Sequence, residues 1–161
     1  MFKFKVNSTL NLVLTFSLIA IISAYFIEYV LGYQPCNLCL IERIPYVLSI
    51  ILIVFNYIFK KDEKFIILLL ILIFVFSFLI SVYHFGIEQG FFEESSVCGL
   101  KNGANIISKE ELLNLLSQKT ISCKDVTFMI FGLSLTSINI LISLTITYLL
   151  IRTYNSYEKN K

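Results

Sequence analysis

Residues 65–84 read FIILLLILIFVFSFLISVYH, a run with no acidic side chain, lysine or arginine. A hydrocarbon layer of about 30 Å is crossed by roughly 20 apolar residues of α-helix. The stretch is therefore read as a transmembrane span. Lys60-Lys61-Asp62-Glu63-Lys64, immediately before it, is a tight charged turn. Working outward, the apolar runs at 10–26, 44–59 and 128–151 have the same character, although 44–59 is short. The chain has 161 residues, 57% of them hydrophobic, and a mean hydropathy of +0.82, against about 45–50% apolar residues in soluble domains. These features predict an all-α membrane protein, a single domain over residues 1–161, folded as a four-transmembrane-helix bundle. A net charge of +2 with dispersed basic residues argues against a nucleic-acid partner. There is no internal repeat and no glycine-rich phosphate loop.

Charge sets the orientation. Lys3, Lys5, Lys60, Lys61, Lys64, Arg152, Lys159 and Lys161 cluster at one set of span ends. Arg43, Lys101, Lys109, Lys119 and Lys124 are spread over the much longer segments at the other. Short loops rich in Lys and Arg stay cytoplasmic, so both termini are expected inside and the segments 27–43 and 85–127 outside. Tyr25, Tyr29 and Tyr33 recur every fourth residue at the outer end of the first span, as an interfacial aromatic belt does. Lys3 and Lys5 before an apolar run also resemble a secretory signal. No A-x-A site follows, and an even number of spans with both ends inside requires the first helix to be kept. Within 85–127, Ser108 and Glu111 form a capping box. Leu112, Leu113 and Leu116 then share one face, which predicts a short amphipathic helix on the outer membrane surface or packed on its own loop.

All four cysteines fall on the outer side: Cys36 and Cys39 as a C-x-x-C, Cys98 and Cys123 far apart. A haem attachment wants His after the second Cys, and Leu40 stands there. A four-cysteine zinc site shows two closely spaced pairs, which Cys98 and Cys123 are not, so no metal is expected. A redox pair and a static disulfide remain. From Cys39 to Phe59 is about 30 Å of helix at 1.5 Å per residue, which puts Cys39 at the outer edge of the hydrocarbon. A structural staple gains little there, whereas exchange with a lipid-soluble electron carrier needs that position. Pro35 keeps residue 34 extended and lets a helix begin near Cys36. Arg43, four residues after Cys39, projects from the same face. It reads either as a guanidinium that favours a thiolate or as an interfacial snorkelling residue paired with Glu42. A Cys98–Cys123 bond closes a loop of some 25 residues and stabilises it by roughly 3 kcal/mol, so a plain staple is an open reading for that pair. His84, with Glu88 one turn on, suits a proton acceptor near a quinone or an interfacial hydrogen bonder. Asn139, Ser137 and Ser143 in the last span read as polar glue between helices.

Several stretches together resemble the disulfide bond formation protein B (DsbB) family of bacterial inner-membrane thiol oxidases. They are Pro35-Cys36-Asn37-Leu38-Cys39 with Glu42-Arg43; Tyr83-His84-Phe85-Gly86-Ile87-Glu88; Cys98; and Ser122-Cys123-Lys124-Asp125 leading into Gly132-Leu133-Ser134 and Asn139. The resemblance implies a bacterial inner-membrane, multi-pass protein with periplasmic cysteine loops and a bound quinone, ubiquinone or menaquinone. It also implies a soluble thioredoxin-fold partner, DsbA-like, that delivers electrons. Cys98 would take the mixed disulfide with that partner, and Cys123 would pass electrons to Cys36. Cys39 would be the thiolate beside the quinone, and Arg43 would support quinone reduction. Glu42, His84 and Glu88 match family positions, and Glu42 and His84, with Arg43, would bind the quinone. Tryptophans common in the family are missing, and Phe91, Phe92 and Phe128 stand in their neighbourhood. One rival is an enzyme like vitamin K epoxide reductase, whose quinone-facing C-x-x-C lies late in the bundle, whereas here it opens span two. The other is a structural four-span protein with stapled outer loops, which gives no reason for Arg43 one turn after Cys39.

Overall fold

The computed structural model describes residues 2–59, 63–93, 122–124, 129–130 and 132–159. Four long helices dominate it: α1 (Phe2–Tyr29), α2 (Asn37–Phe59), α3 (Glu63–Glu88) and α4 (Leu135–Lys159). Each is long and apolar enough to cross a membrane. A two-stranded antiparallel hairpin, β1 (Met129–Ile130) and β2 (Leu133–Ser134), precedes α4. Neighbouring helices pack in chain order and α4 closes back onto α1, with α3 against α4 the most extensive pairing. The expected amphipathic helix, Cys98 and Phe128 lie outside the described residues.

Local chemistry explains the helix ends. Cys36 caps α2: its sulfur accepts the Cys39 amide at 3.3 Å, and its carbonyl accepts the Leu40 amide at 3.2 Å. This satisfies one of the orphan donors that open every helix. Cys39 thus belongs to the first turn of α2 rather than to a loop running to residue 43. Ser134 plays the same part for α4, accepting the Ser137 amide at 3.2 Å. The fourth span therefore starts at Leu135, not at Phe128 as the apolar run suggested. α3 ends in a Schellman motif. The Phe91 amide reaches the Gly86 carbonyl at 2.8 Å and the Gly90 amide reaches that of Ile87 at 3.0 Å. Gly90 takes the φ of +77° that this ending needs. Gly86 is bare for a different reason. The Phe92 ring folds over it, so that an added Cβ would stand 2.2 Å from the ring.

The packed interior runs through the half of the bundle that holds the first turns of α1 and the last turns of α4. Val6, Leu10 and Val13 of α1 meet Tyr46 and Ile53 of α2, Ile67, Leu70 and Phe74 of α3, and Ile146 and Leu150 of α4. Serine pairs link the helices within the apolar layer, Ser17 to Ser49 at 2.8 Å and Ser77 to Ser143 at 3.0 Å. Such bonds contribute about 0.6 kcal/mol each in membranes. The outer faces carry Ile22, Ile51, Leu72 and Leu141, all exposed, as lipid-facing surfaces require. Thr9 bonds Thr153 at 3.1 Å, and Lys64 pairs with Glu158 at 3.2 Å. The start of α1, the start of α3 and the end of α4 therefore share one end of the bundle, and the Cys36–Cys39 pair lies at the other.

Candidate active site

The site is assembled from the N-terminus of α2, the last turn of α3 and the first turn of α4. Cys36 and Cys39 are free thiols with sulfurs 2.8 Å apart. Cys36 is buried, and His84 Nε2 lies 3.5 Å from its sulfur. Glu42, one turn along α2 from Leu38, accepts from His84 Nδ1 at 3.0 Å. A carboxylate only accepts, so a proton sits on Nδ1, and Nε2 is turned toward the Cys36 sulfur. Asn139 of α4 fixes Glu42 in turn. Its amide donates to the second Glu42 oxygen at 3.1 Å and to Ser81 at 2.7 Å, and its carbonyl accepts from Tyr46. Thr136 donates to Glu88 at 2.6 Å and lies 3.3 Å from His84 Nδ1.

The thiol of Cys39, hydrogen-bonded to Cys36, holds the Cys36 pKa well below the usual thiol range; burial opposes this and His84 reinforces it. The amide of Cys39 and the N-terminal end of the α2 dipole point at the same sulfur, the setting in which thiolates form. Cys36 also shares a buried cluster with Leu38, Ile87 and Cys123. Cys123 is disulfide-bonded, and since Cys36 and Cys39 are free, neither is its partner.

Cys39 faces the other way. It lines a cavity of about 340 Å³ between α1, α2 and α4, together with Glu42, Arg43, Tyr46 and Asn139. The rest of the wall is mainly apolar, from Phe16 and Ile19 to Ile142. The volume suits a small organic molecule with few polar contacts. Arg43 does not pair with Glu42. Its Nη1 donates to Glu28 of α1 at 2.6 Å, and its guanidinium lies over the Tyr25 ring, 5.2 Å from the centroid.

The expected set is thus divided by the fold. Cys39, Arg43 and Glu42 share the cavity wall. His84 is almost fully buried behind Cys36, against Glu42, and is not part of that wall. It is buried there because α3 packs its last turn inward on α4. Asn139 is more than helix glue, since it orders Glu42, whereas Ser143 does bridge helices. Glu28 and Thr136 escaped the reading of the sequence. Glu28 lies fifteen positions before Arg43 and Thr136 follows an apolar residue in an apolar run, so no local spacing marks either.

The family model for disulfide bond formation protein DsbB matches residues 7–152. An uncharacterized protein of Rickettsia prowazekii (strain Madrid E) is 33% identical over 140 residues, covering 84% of this chain and 80% of that protein. No solved structure matches the chain.

Proposed function

Because this chain belongs to the DsbB family of disulfide bond formation proteins, we propose that it generates disulfides for a soluble DsbA-like, thioredoxin-fold oxidase and passes the electrons to a membrane quinone. The partner's dithiol is oxidised by a Cys98–Cys123 disulfide, losing two electrons and two protons. A thiolate of Cys123 then attacks the Cys36–Cys39 disulfide at Cys36. Each transfer is thiolate attack on a disulfide sulfur, with direction set by relative potentials. The depressed Cys36 pKa favours the reduced form of its pair and so draws electrons toward it. His84 Nε2 takes up or returns the Cys36 proton, and Glu42 holds the ring in the tautomer that allows this.

One juxtaposition carries the reading. Cys36 touches the buried cluster containing Cys123, while Cys39, three residues on, lines the apolar cavity with Arg43. A pair that faces a second disulfide on one side and an apolar cavity on the other is built to relay. Arg43 offers donors beside Cys39 and would orient a carbonyl oxygen there, and the apolar wall of α1 and α4 excludes water. A quinone in this cavity supplies the two-electron acceptor. The bacterial inner membrane, with both cysteine pairs periplasmic and both termini cytoplasmic, follows from this reading and from the lysine distribution.

The test is quinone reduction by purified protein supplied with a reduced thioredoxin-fold dithiol, followed by the loss of quinone absorbance. Turnover with ubiquinone or menaquinone is expected. Arg43→Lys should raise the quinone concentration required, because Lys keeps the charge but loses the planar fork of donors. No reduction of either quinone by protein with all four cysteines intact overturns the proposal.

A further inference from the structure

We propose that the reduced Cys36–Cys39 pair and His84 form a site for one Zn²⁺ ion, which holds the pair as thiolates and stops turnover. The donor atoms of the three residues all lie within 4.8 Å of one another. They come from the N-cap of α2, its first turn and the last turn of α3, so the fold brings them together before any ion arrives. Zinc bonds of about 2.3 Å to sulfur and 2.0–2.1 Å to nitrogen, arranged tetrahedrally, place neighbouring donors roughly 3.5–3.8 Å apart. Cys36 Sγ and His84 Nε2 are already 3.5 Å apart. The two sulfurs, at 2.8 Å, need to open by about 1 Å, within the reach of the Cys39 side chain, whose far side is open cavity.

Two further features fit zinc. His84 turns Nε2 toward the sulfurs while Nδ1 is bonded to the Glu42 carboxylate at 3.0 Å, and Asn139 steadies Glu42 at 3.1 Å. This is the carboxylate–histidine–metal arrangement that orients an imidazole ligand and raises its basicity. Two thiolates also cancel the charge of the ion, so the complex adds no net charge to a buried site. Thiolate and imidazole donors favour zinc over magnesium or calcium. Three protein ligands leave one position for water. Binding displaces the protons still held by the reduced pair and moves no electrons, and the disulfide form has no thiolate to offer. The site therefore exists only after the pair is reduced. The spacing of the cysteines gave no hint of it, because the third ligand arrives from α3.

The inhibitory half of the proposal rests on the relay reading; the metal site itself does not. Full-length protein in detergent, carrying Cys98→Ala and Cys123→Ala, would be reduced, freed of reductant without oxygen and titrated with Co²⁺. One ion per chain is expected, with thiolate-to-cobalt charge transfer and the strong visible bands of tetrahedral cobalt, both removed by Zn²⁺. The oxidised protein should bind none. Glu42→Gln should weaken binding by about tenfold or more through the lost partner of Nδ1, and His84→Ala by more. Helix content by circular dichroism, with two alkylatable thiols per chain, confirms that each variant is folded. Equal binding by oxidised protein, the absence of charge transfer in reduced protein, or binding undiminished in both His84→Ala and Glu42→Gln overturns the site. In wild type, micromolar Zn²⁺ should suppress quinone reduction and EDTA restore it. Metal binding with unaffected turnover sinks the inhibitory role alone. Metal binding by a protein that reduces no quinone leaves the site standing and removes the relay.

Discussion

Glu28→Gln tests how Arg43 is held at the cavity. The Arg43–Glu28 contact, at 2.6 Å, joins α2 to α1 with side chains 15% and 21% exposed. Exposed ion pairs contribute about 0–1 kcal/mol, and hydrogen bonds to charged groups about 1.5–3 kcal/mol. This pair is partly screened, so roughly 1.5 kcal/mol is the reasonable figure between those ranges. If that energy serves to hold the guanidinium beside Cys39, its loss lowers kcat/KM for quinone by about tenfold, at 1.36 kcal/mol per decade. Gln keeps the shape of Glu28 and its carbonyl, so helix content and both disulfides should be unchanged. The assay is quinone reduction in detergent micelles over a range of quinone concentrations. Arg43→Lys and the double variant Glu28→Gln/Arg43→Lys complete a cycle, and the double variant should be no worse than the more impaired single variant. If Glu28→Gln keeps wild-type kcat/KM while Arg43→Lys is impaired, Glu28 does not position Arg43. If neither changes, Arg43 is only an interfacial anchor.

Three other outcomes are expected. Cys123→Ala removes the resolving thiol and should trap a mixed disulfide between Cys98 and the soluble partner; mapping of the trapped bond to Cys36 would show that the order of transfer is wrong. The Cys36–Cys39 couple should lose about 30 mV per pH unit between pH 6 and 8 rather than about 59 mV, because a dithiol whose Cys36 is ionised, its proton passed on through His84 and not kept there, takes up one proton per two electrons. The sign follows from the lowered pKa: the thiolate stabilises the reduced pair, and this gain disappears as pH falls through the Cys36 pKa, so a slope near 59 mV across the whole range would show the proton retained, on Cys36 or on His84. After reduction, Cys98 and Cys123 should react with a membrane-impermeant thiol reagent in cells stripped of outer barriers, whereas labelling confined to inverted vesicles would reverse the assigned orientation.

Much of the architecture was legible because a bilayer imposes a length and a polarity that a linear count detects. The run 65–84 and its three companions correspond to the helices found, with α2 ending at Phe59 and α3 beginning at Glu63. Boundaries fared less well where a polar cap interrupts an apolar run. Hydropathy treats residues 128–151 as continuous, but Ser134 caps a helix that starts only at Leu135, and a hairpin occupies the residues before it. The same limitation put Cys39 in a loop, although its amide already belongs to the first turn of α2.

The sequence by itself determined the spans, the four cysteines and the i,i+4 spacing that puts Cys39 and Arg43 on one helix face, since each depends on chain order and the pitch of a helix. Only the tertiary structure decided which partners meet across helices. It set His84 against Cys36 and Glu42, sent Arg43 to Glu28, used Asn139 to order Glu42, and turned Cys36 toward Cys123 while Cys39 faces the cavity. Those contacts join residues up to 97 positions apart. They depend on the rotation of each helix about its own axis, which packing among four nearly uniform apolar surfaces settles and which no local spacing records.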